Sequence, residues 1–527
     1  MASGTRPLIS KLLLAAAIIT FSCNSLFVGE TEAANILGIL PTWAKSHYII
    51  GAEYLRVLAL AGHNVTVVTP FRLGDSPPNY HEIVMDGILD ASAGLEKNYF
   101  KYKDGSFLMI LSMLYNDLAD TTCRFVLKHP KVVTLMKSDQ QFDVVIVETF
   151  MTESIYGLAQ HFNAPLVVFS TLGSNLWTNG LVGAPSPYSH MAHLMLGFTD
   201  HMNFYERMIN TVVGVGEQVY YELVYLPRQK RFYDEAFSHA SMSFDQQLKN
   251  TSLVLLNQHF ALSSPRSYPP NMVEVGGTHI RDVRPLPEDL QQYLDEAPDG
   301  VIYFCMGSHI QSKHFPSDKR DAFLKVFSQL KQRVLWKFED TSIPDIPSNV
   351  LIRSWMPQND ILAHRNVKLF ITHGGLLGTT EALYHGKPIV GIPIFGDQLM
   401  NVQKAVRSGY GLKLDYELIN EASVREVIET VLMNESFTER AREISGWYHD
   451  KPMTAAETAI FWTEYVIRHR GAAQLRSPAV ELKSWQYYLL DVGAVLVGLC
   501  LFVFAMIYKC LGAIRTILDK VNKYKRD

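Results

Sequence analysis

The chain has 527 residues, too many for one hydrophobic core and enough for two α/β domains with additions. Hydrophobic residues make up 48% and charged residues 19%, a globular composition that excludes a disordered chain. Lys plus Arg total 48 against 52 Asp plus Glu, so the near-neutral balance gives a nucleic-acid partner no electrostatic support.

Residues 1–33 read as a secretory signal. Arg6 and Lys11 supply a basic start, and "LLLAAAIITF" (12–21) is an apolar run too short to span a bilayer comfortably. Ser22, Ser25 and Ala33 each offer a cleavage point. A first Rossmann-like domain is expected over 34–280. An apolar strand near 36–40 leads through Pro41 into a helical pattern with Tyr48, Leu55, Leu58 and Leu60, and Gly62 stands where the helix ends. "VTVV" then makes a second strand. No G-x-G-x-x-G accompanies this β-α-β opening, so a dinucleotide fingerprint is absent there. "FDVVIVE" (142–148) and "APLVVFS" (164–170) are continuous apolar runs, the pattern of parallel strands buried on both faces. Residues 180–250 are rich in Met, Tyr and Phe and read as helices and loops lining something apolar.

Residues 264–300, rich in Pro, Gly and Asp, suit a linker. A second Rossmann-like domain is expected over 281–465. Its strands are "VIYFCMG", "RVLWKF", "VLIRSW", "VKLFITHGG" and "PIVGIP", with helices over 317–332 and 376–385. Two such halves leave a cleft between the carboxyl ends of two sheets, where ligands bind. After a juxtamembrane segment (466–486), "YYLLDVGAVLVGLCLFVFAMIY" (487–508) is long enough to cross a bilayer, with Trp485, Tyr487, Tyr488 and Tyr508 as interfacial aromatics. The basic tail, 509–527, is expected in the cytoplasm and the body in the lumen, a single-pass type I arrangement. Cys123 and Cys305 read as free core thiols. Sequons stand at Asn64, Asn250 and Asn434.

The stretch "FITHGGLLGTTEALYHGKPIVGIP" (370–393) brings His373, Gly374 and Gly375 to a strand end just before a helix. Glycines there let backbone approach a ligand, and the free N–H groups of the helix start favour a phosphate or diphosphate. Asp397-Gln398 follow the next strand, placed to meet sugar hydroxyls. Trp355 and Gln358, in "SWMPQ", follow an earlier one, with Trp355 able to stack on a base. His47, in "KSHYI", comes just after the first strand and faces the cleft. As a lone histidine it is more often structural than catalytic. No Asp-x-Asp and no metal-spaced His/Cys/Glu cluster occurs.

The ordered run "SWMPQNDILAH…FITHGGLLGTTEALYHGKPIVGIPIFGDQLMN" resembles the signature of the membrane-bound animal UDP-glycosyltransferases, and "HGGLL" is similar to arthropod members. The resemblance covers body, span and tail. It implies a GT-B type fold, with UDP-sugar on the C-terminal half and an acceptor on the N-terminal half. It implies that Trp355 stacks on uracil and that Gln358 and Glu381 bind ribose. His373, Ser308 and the N–H groups near Gly375 and Gly378 would hold the diphosphate, with Arg266, in "SSPRSYPPN", near it. Asp397 and Gln398 would bind the sugar. Leu377 departs from the Asn common in relatives. His47 matches the family's catalytic base, and Glu148 stands where relatives usually have Asp.

The activity so implied is inverting, metal-independent transfer of a hexose, glucose favoured, to a hydroxyl of a small lipophilic acceptor. It uses no cofactor beyond the UDP-sugar co-substrate, and a homo-oligomer is compatible with it. A UDP-sugar epimerase on the same fold and a non-catalytic lumenal ligand binder are the alternatives. Lys523 and Lys525 resemble the lysine retrieval signal of the endoplasmic reticulum.

Overall fold

Apolar runs without helical period become strands covered on both faces. In the computed structural model, which describes residues 33–91, 107–307, 312, 315–340 and 343–526, they form two parallel sheets. The N-terminal sheet contains β1 (Asn35–Ile39), β2 (Asn64–Thr69), β3 (Tyr80–Val84), β4 (Val144–Glu148), β5 (Leu166–Ser170), β6 (Thr251–Leu256) and β7 (Met272–Glu274). Its order is β3-β2-β1-β4-β5-β6-β7. The C-terminal sheet contains β8 (Val301–Cys305), β9 (Arg333–Lys337), β10 (Val350–Arg353), β11 (Val367–Thr372), β12 (Ile389–Gly391) and β13 (Gly411–Lys413), in the order β10-β9-β8-β11-β12-β13.

Side chains alternate across each sheet, so each strand feeds two cores. Leu37 and Ile39 of β1 enter one cluster, while Ile36 enters the cluster on the opposite face. Ile302 and Phe304 of β8 pack on one side, and Val301, Tyr303 and Cys305 on the other. Each fully buried aliphatic side chain contributes about 1.5–3 kcal/mol.

In both sheets the strand order reverses once: between β1 and β4 in the first, and between β8 and β11 in the second. These switch points open crevices at the carboxyl ends of the strands. Helix α1 (Lys45–Leu60) follows β1 at the first, and the carboxyl ends of β8 and β11 meet at the second.

Several elements carried too little sequence signal to be expected. β3 and β13 are short edge strands, and β7 adds three residues inside the stretch read as a linker. β6 is apolar on both faces, but it follows a long helical region that includes α2 (Phe204–Tyr220), which masks its start. In the C-terminal half, α3 (Gln358–Ala363) follows β10, α4 (Leu376–Tyr384) follows β11, and α5 (Gln398–Ser408) follows β12.

Helix α6 (Ala455–Arg468) then crosses back to the N-terminal sheet. Ala459 and Val466 join the core that holds β1, and Thr463 hydrogen-bonds the Tyr54 hydroxyl at 2.7 Å. The last helix, α7 (Leu490–Tyr524), contains an apolar span with mean hydropathy 2.5 and none of that window buried. Cys123 and Cys305 are separate, buried free thiols. Residues 1–32 of the expected signal, and Ser308, lie outside the described residues.

Candidate active site

His47 lies in the first turn of α1, at the end of the connection from β1. Its Nδ1 is 2.7 Å from Oε1 of Glu148, the last residue of β4. Thr171, just beyond β5, places its hydroxyl 2.8 Å from the same Nδ1 and donates to the same carboxylate oxygen at 3.4 Å. Adjacent parallel strands therefore deliver three side chains to one point. Glu148 is completely buried, while the His47 side chain keeps 15% exposure. With Nδ1–H turned inward to the carboxylate, the ring is fixed as one tautomer and Nε2 is left for the cleft. The Phe150 ring meets the imidazole edge-on at a centroid distance of 4.7 Å.

Opposite stands the HGG turn. Gly374 has φ +80° and Gly307 has φ +90°, both in the region that favours glycine. The His373 imidazole fills the space between Gly307 and Gly375. A Cβ on Gly307 would lie 2.6 Å from its Cε1, and one on Gly375 2.4 Å from its Nε2. The stretch thus holds an imidazole against the start of α4, where Gly375 is the N-cap. The first N–H groups of that helix are free for an anion.

One cavity of about 1290 Å³ joins the two sides. His47 and Phe150 line it together with Trp355, Gln358, His373, Gly375, Gly378, Glu381, Asp397 and Gln398. Its N-terminal wall is apolar and carries Trp43, Met113, Leu114, Trp177, Leu194 and Met195. Trp355 is 70% exposed, an open platform. Gln358 donates to Glu381, whose carboxyl burial pushes up to about 7. Gln398 turns its amide oxygen back onto the Ile394 and Phe395 N–H groups. Asp397 is gripped by Asn401 at 2.7 Å, and burial raises its carboxyl above the usual range, opposed by Asn401 and the nearby His47.

Not every expected residue faces the main cavity. Arg266 lies behind it, donating to the Ser174 carbonyl at 2.7 Å and lining a side cavity of about 50 Å³ with Asp397 and Lys404. Burial and the Arg266 charge push the Lys404 ammonium down to about 8. Leu377 lines the main cavity and also packs against the N-terminal core. Asn64 and Asn434 are exposed and Asn250 is half-buried.

Three site residues escaped the sequence reading. Thr171 carries no motif. His279, in "GGTHI", is fully buried with Nε2 3.9 Å from Glu381, and burial pushes it down to about 4, so it lines the cavity as a neutral ring. Lys337 donates to the Gly307 carbonyl at 2.9 Å behind the turn. Among the described residues, no group of three or more His, Cys, Asp or Glu side chains could hold a metal ion.

The family profile described as "UDP-glucoronosyl and UDP-glucosyl transferase" matches residues 44–524. The chain belongs to the UDP-glycosyltransferase family. It is 36% identical to UDP-glucosyltransferase 2 of Dactylopius coccus, over 93% of this chain and 95% of that protein. It is 29% identical to human UDP-glucuronosyltransferase 1A9, over 96% of each. Among solved structures, a complex of a UDP-glucosyltransferase from Polygonum tinctorium superposes with TM-score 0.55 at 16% identity, covering 83% of this chain and 99% of that one. That likeness carries the fold, two Rossmann-like domains of GT-B type. The enzyme transfers a sugar from a UDP-sugar.

Proposed function

We propose that the enzyme transfers a hexose, glucose in preference to glucuronate, to a hydroxyl of a small lipophilic acceptor, with His47 as base and Glu148 as the residue that orients it. The shared cavity carries the reading: His47 lines it on an apolar wall, and His373 and Gly375 line the same space from the C-terminal half. The acceptor hydroxyl gives its proton to His47 Nε2 as its oxygen attacks the anomeric carbon. The bond from that carbon to the UDP oxygen breaks on the far side, so the configuration inverts. Glu148 stabilises the imidazolium that forms, and Thr171 holds both partners.

Trp355 takes the uracil, and Glu381 with Gln358 takes the ribose. His373 and the α4 N-terminus take the diphosphate, and Asp397 with Gln398 the sugar. Charge on the leaving UDP is met by these groups without a metal. Arg266 supplies longer-range positive charge from the side cavity. The higher identity to a glucosyltransferase than to a glucuronosyltransferase supports the choice of glucose. The unburied apolar span in α7 and the basic residues after it support a type I membrane protein of the endoplasmic reticulum, with Lys523 and Lys525 as its retrieval signal.

The test is UDP release by the full-length protein with several UDP-sugars against a panel of phenols and alcohols. His47→Ala should lose roughly 10²–10⁴ in turnover while still binding UDP. Wild-type turnover of a weakly acidic alcohol by His47→Ala would refute the base. No sugar transfer with any pair would favour a ligand-binding protein instead.

A further inference from the structure

Helix α2 is built inside out. Its buried residues are Asn210, Gly214 and Glu217. Asn210 accepts from the His193 N–H at 2.7 Å and donates to the Tyr188 and Met191 carbonyls. Glu217 accepts from the Tyr115 hydroxyl at 2.8 Å and pairs with His193 Nε2 at 2.7 Å. The outward side instead carries Tyr205, Met208, Val212, Val215 and Val219, and the π-helical turn Tyr221–Tyr225 that continues the helix adds Leu223, with exposures of 45–72%. These positions recur every three or four residues, so they form one stripe on the helix. From Tyr205 to Val219 the stripe runs about 21 Å, at ~1.5 Å per residue. A helix on a water-facing surface shows the reverse polarity, and a contiguous exposed apolar patch marks a contact surface.

We propose that this stripe lies in the interfacial layer of the same membrane that α7 enters, giving the enzyme a second membrane contact. The occupant is lipid because the end of α2 is joined to the point of membrane entry. Ser484 donates to Glu222 at 2.6 Å, and the Tyr488 hydroxyl reaches Gln218 at 3.5 Å. Both Ser484 and Tyr488 immediately precede α7. Trp485 and Tyr488 remain 46% and 45% exposed beside that contact, aromatics of the kind that settle at a bilayer surface. The end of α2 therefore sits beside the segment that leads into the apolar helix α7. The polar side holds the loop bearing Leu194 and Met195, which line the cavity, so one wall of the cavity is carried by a lipid-seated helix.

Full-length protein with Cys23, Cys500 and Cys510 replaced by alanine leaves the buried Cys123 and Cys305. Single cysteines at Val212, Leu223 and, as a control, the exposed Met433 are labelled with nitrobenzoxadiazole and reconstituted into phosphatidylcholine vesicles. Each labelled protein is first required to bind UDP as the parent does, which secures its fold. The labels at 212 and 223 should be quenched by lipids carrying a nitroxide near the headgroup end of the acyl chain. They should also be several-fold less accessible to iodide than the label at 433. Iodide access equal to that at 433, without lipid quenching, overturns the proposal. Protection from iodide that brings no lipid quenching and disappears at one protein per vesicle also overturns it, and assigns the stripe to a second copy of the chain.

Discussion

Gly374→Ala and Gly375→Ala, adjacent changes in the same turn, should fail in different ways. Gly375 has φ −62°, which alanine adopts freely, so its backbone tolerates the change. Its new Cβ would lie 2.4 Å from His373 Nε2, and to restore ordinary contact the half-buried imidazole must shift by roughly 1 Å, a misplacement on the scale that lowers turnover by about 10²-fold. Stability should change little, because the ring has the cavity to move into. Gly374 is different. Its φ is +80°, and its Cβ would lie 2.3 Å from Cγ2 of Val402, which is fully buried. Left-handed backbone and overpacking together should destabilise the C-terminal half by roughly 2–5 kcal/mol. The assays are UDP release at saturating donor and acceptor, urea unfolding, and calorimetry with UDP. Wild-type turnover by Gly375→Ala would show that the position of His373 does not matter, and unchanged unfolding of Gly374→Ala would refute the packing argument.

Trp355→Ala should leave stability unchanged, because the side chain is 70% exposed, and should weaken UDP binding by the ~1–3 kcal/mol of a lost base stack, read by calorimetry. Burial raises the Glu381 carboxyl from 4.5 to about 7, so between those pH values the folded protein holds a proton that the unfolded chain has lost. Ligand-free stability should therefore fall as pH rises through this window and level off above it. In the proposed binding mode ribose hydroxyls donate to Glu381 and favour its charged form, so UDP binding near neutral pH should release protons and tighten as pH rises. Calorimetry in buffers of different ionisation enthalpy reads this, and Glu381→Gln should abolish it. His373→Ala and Asp397→Ala should both lose transfer, but Asp397→Ala should keep much of its UDP affinity; equal losses of UDP affinity would remove Asp397 from the sugar site.

What the sequence by itself determined is the part of the molecule that periodicity and backbone constraint can encode. Runs such as Val144–Val147, Leu166–Phe169 and Val301–Cys305 are short and apolar at every position, the pattern of strands buried on both faces. The HGG turn was legible because glycine is needed where a backbone turns closely against side chains, here Val402 at Gly374 and His373 at Gly375. The tertiary structure alone decided which residues meet. Thr171 joins His47 across 124 positions because strand order within the N-terminal sheet brings separate carboxyl ends together, and His279, just past β7, faces Glu381 of α4 only because the two halves pack against each other. Helix α6 returns to the first sheet for the same reason: its apolar face shows in sequence, but the Tyr54 hydroxyl that Thr463 finds lies 409 residues away. The polarity of α2 is the clearest case. Periodicity reports that a helix has two faces, but burial is set by the neighbours, and here Tyr115 and His193 draw the polar face inward and leave the apolar one outside.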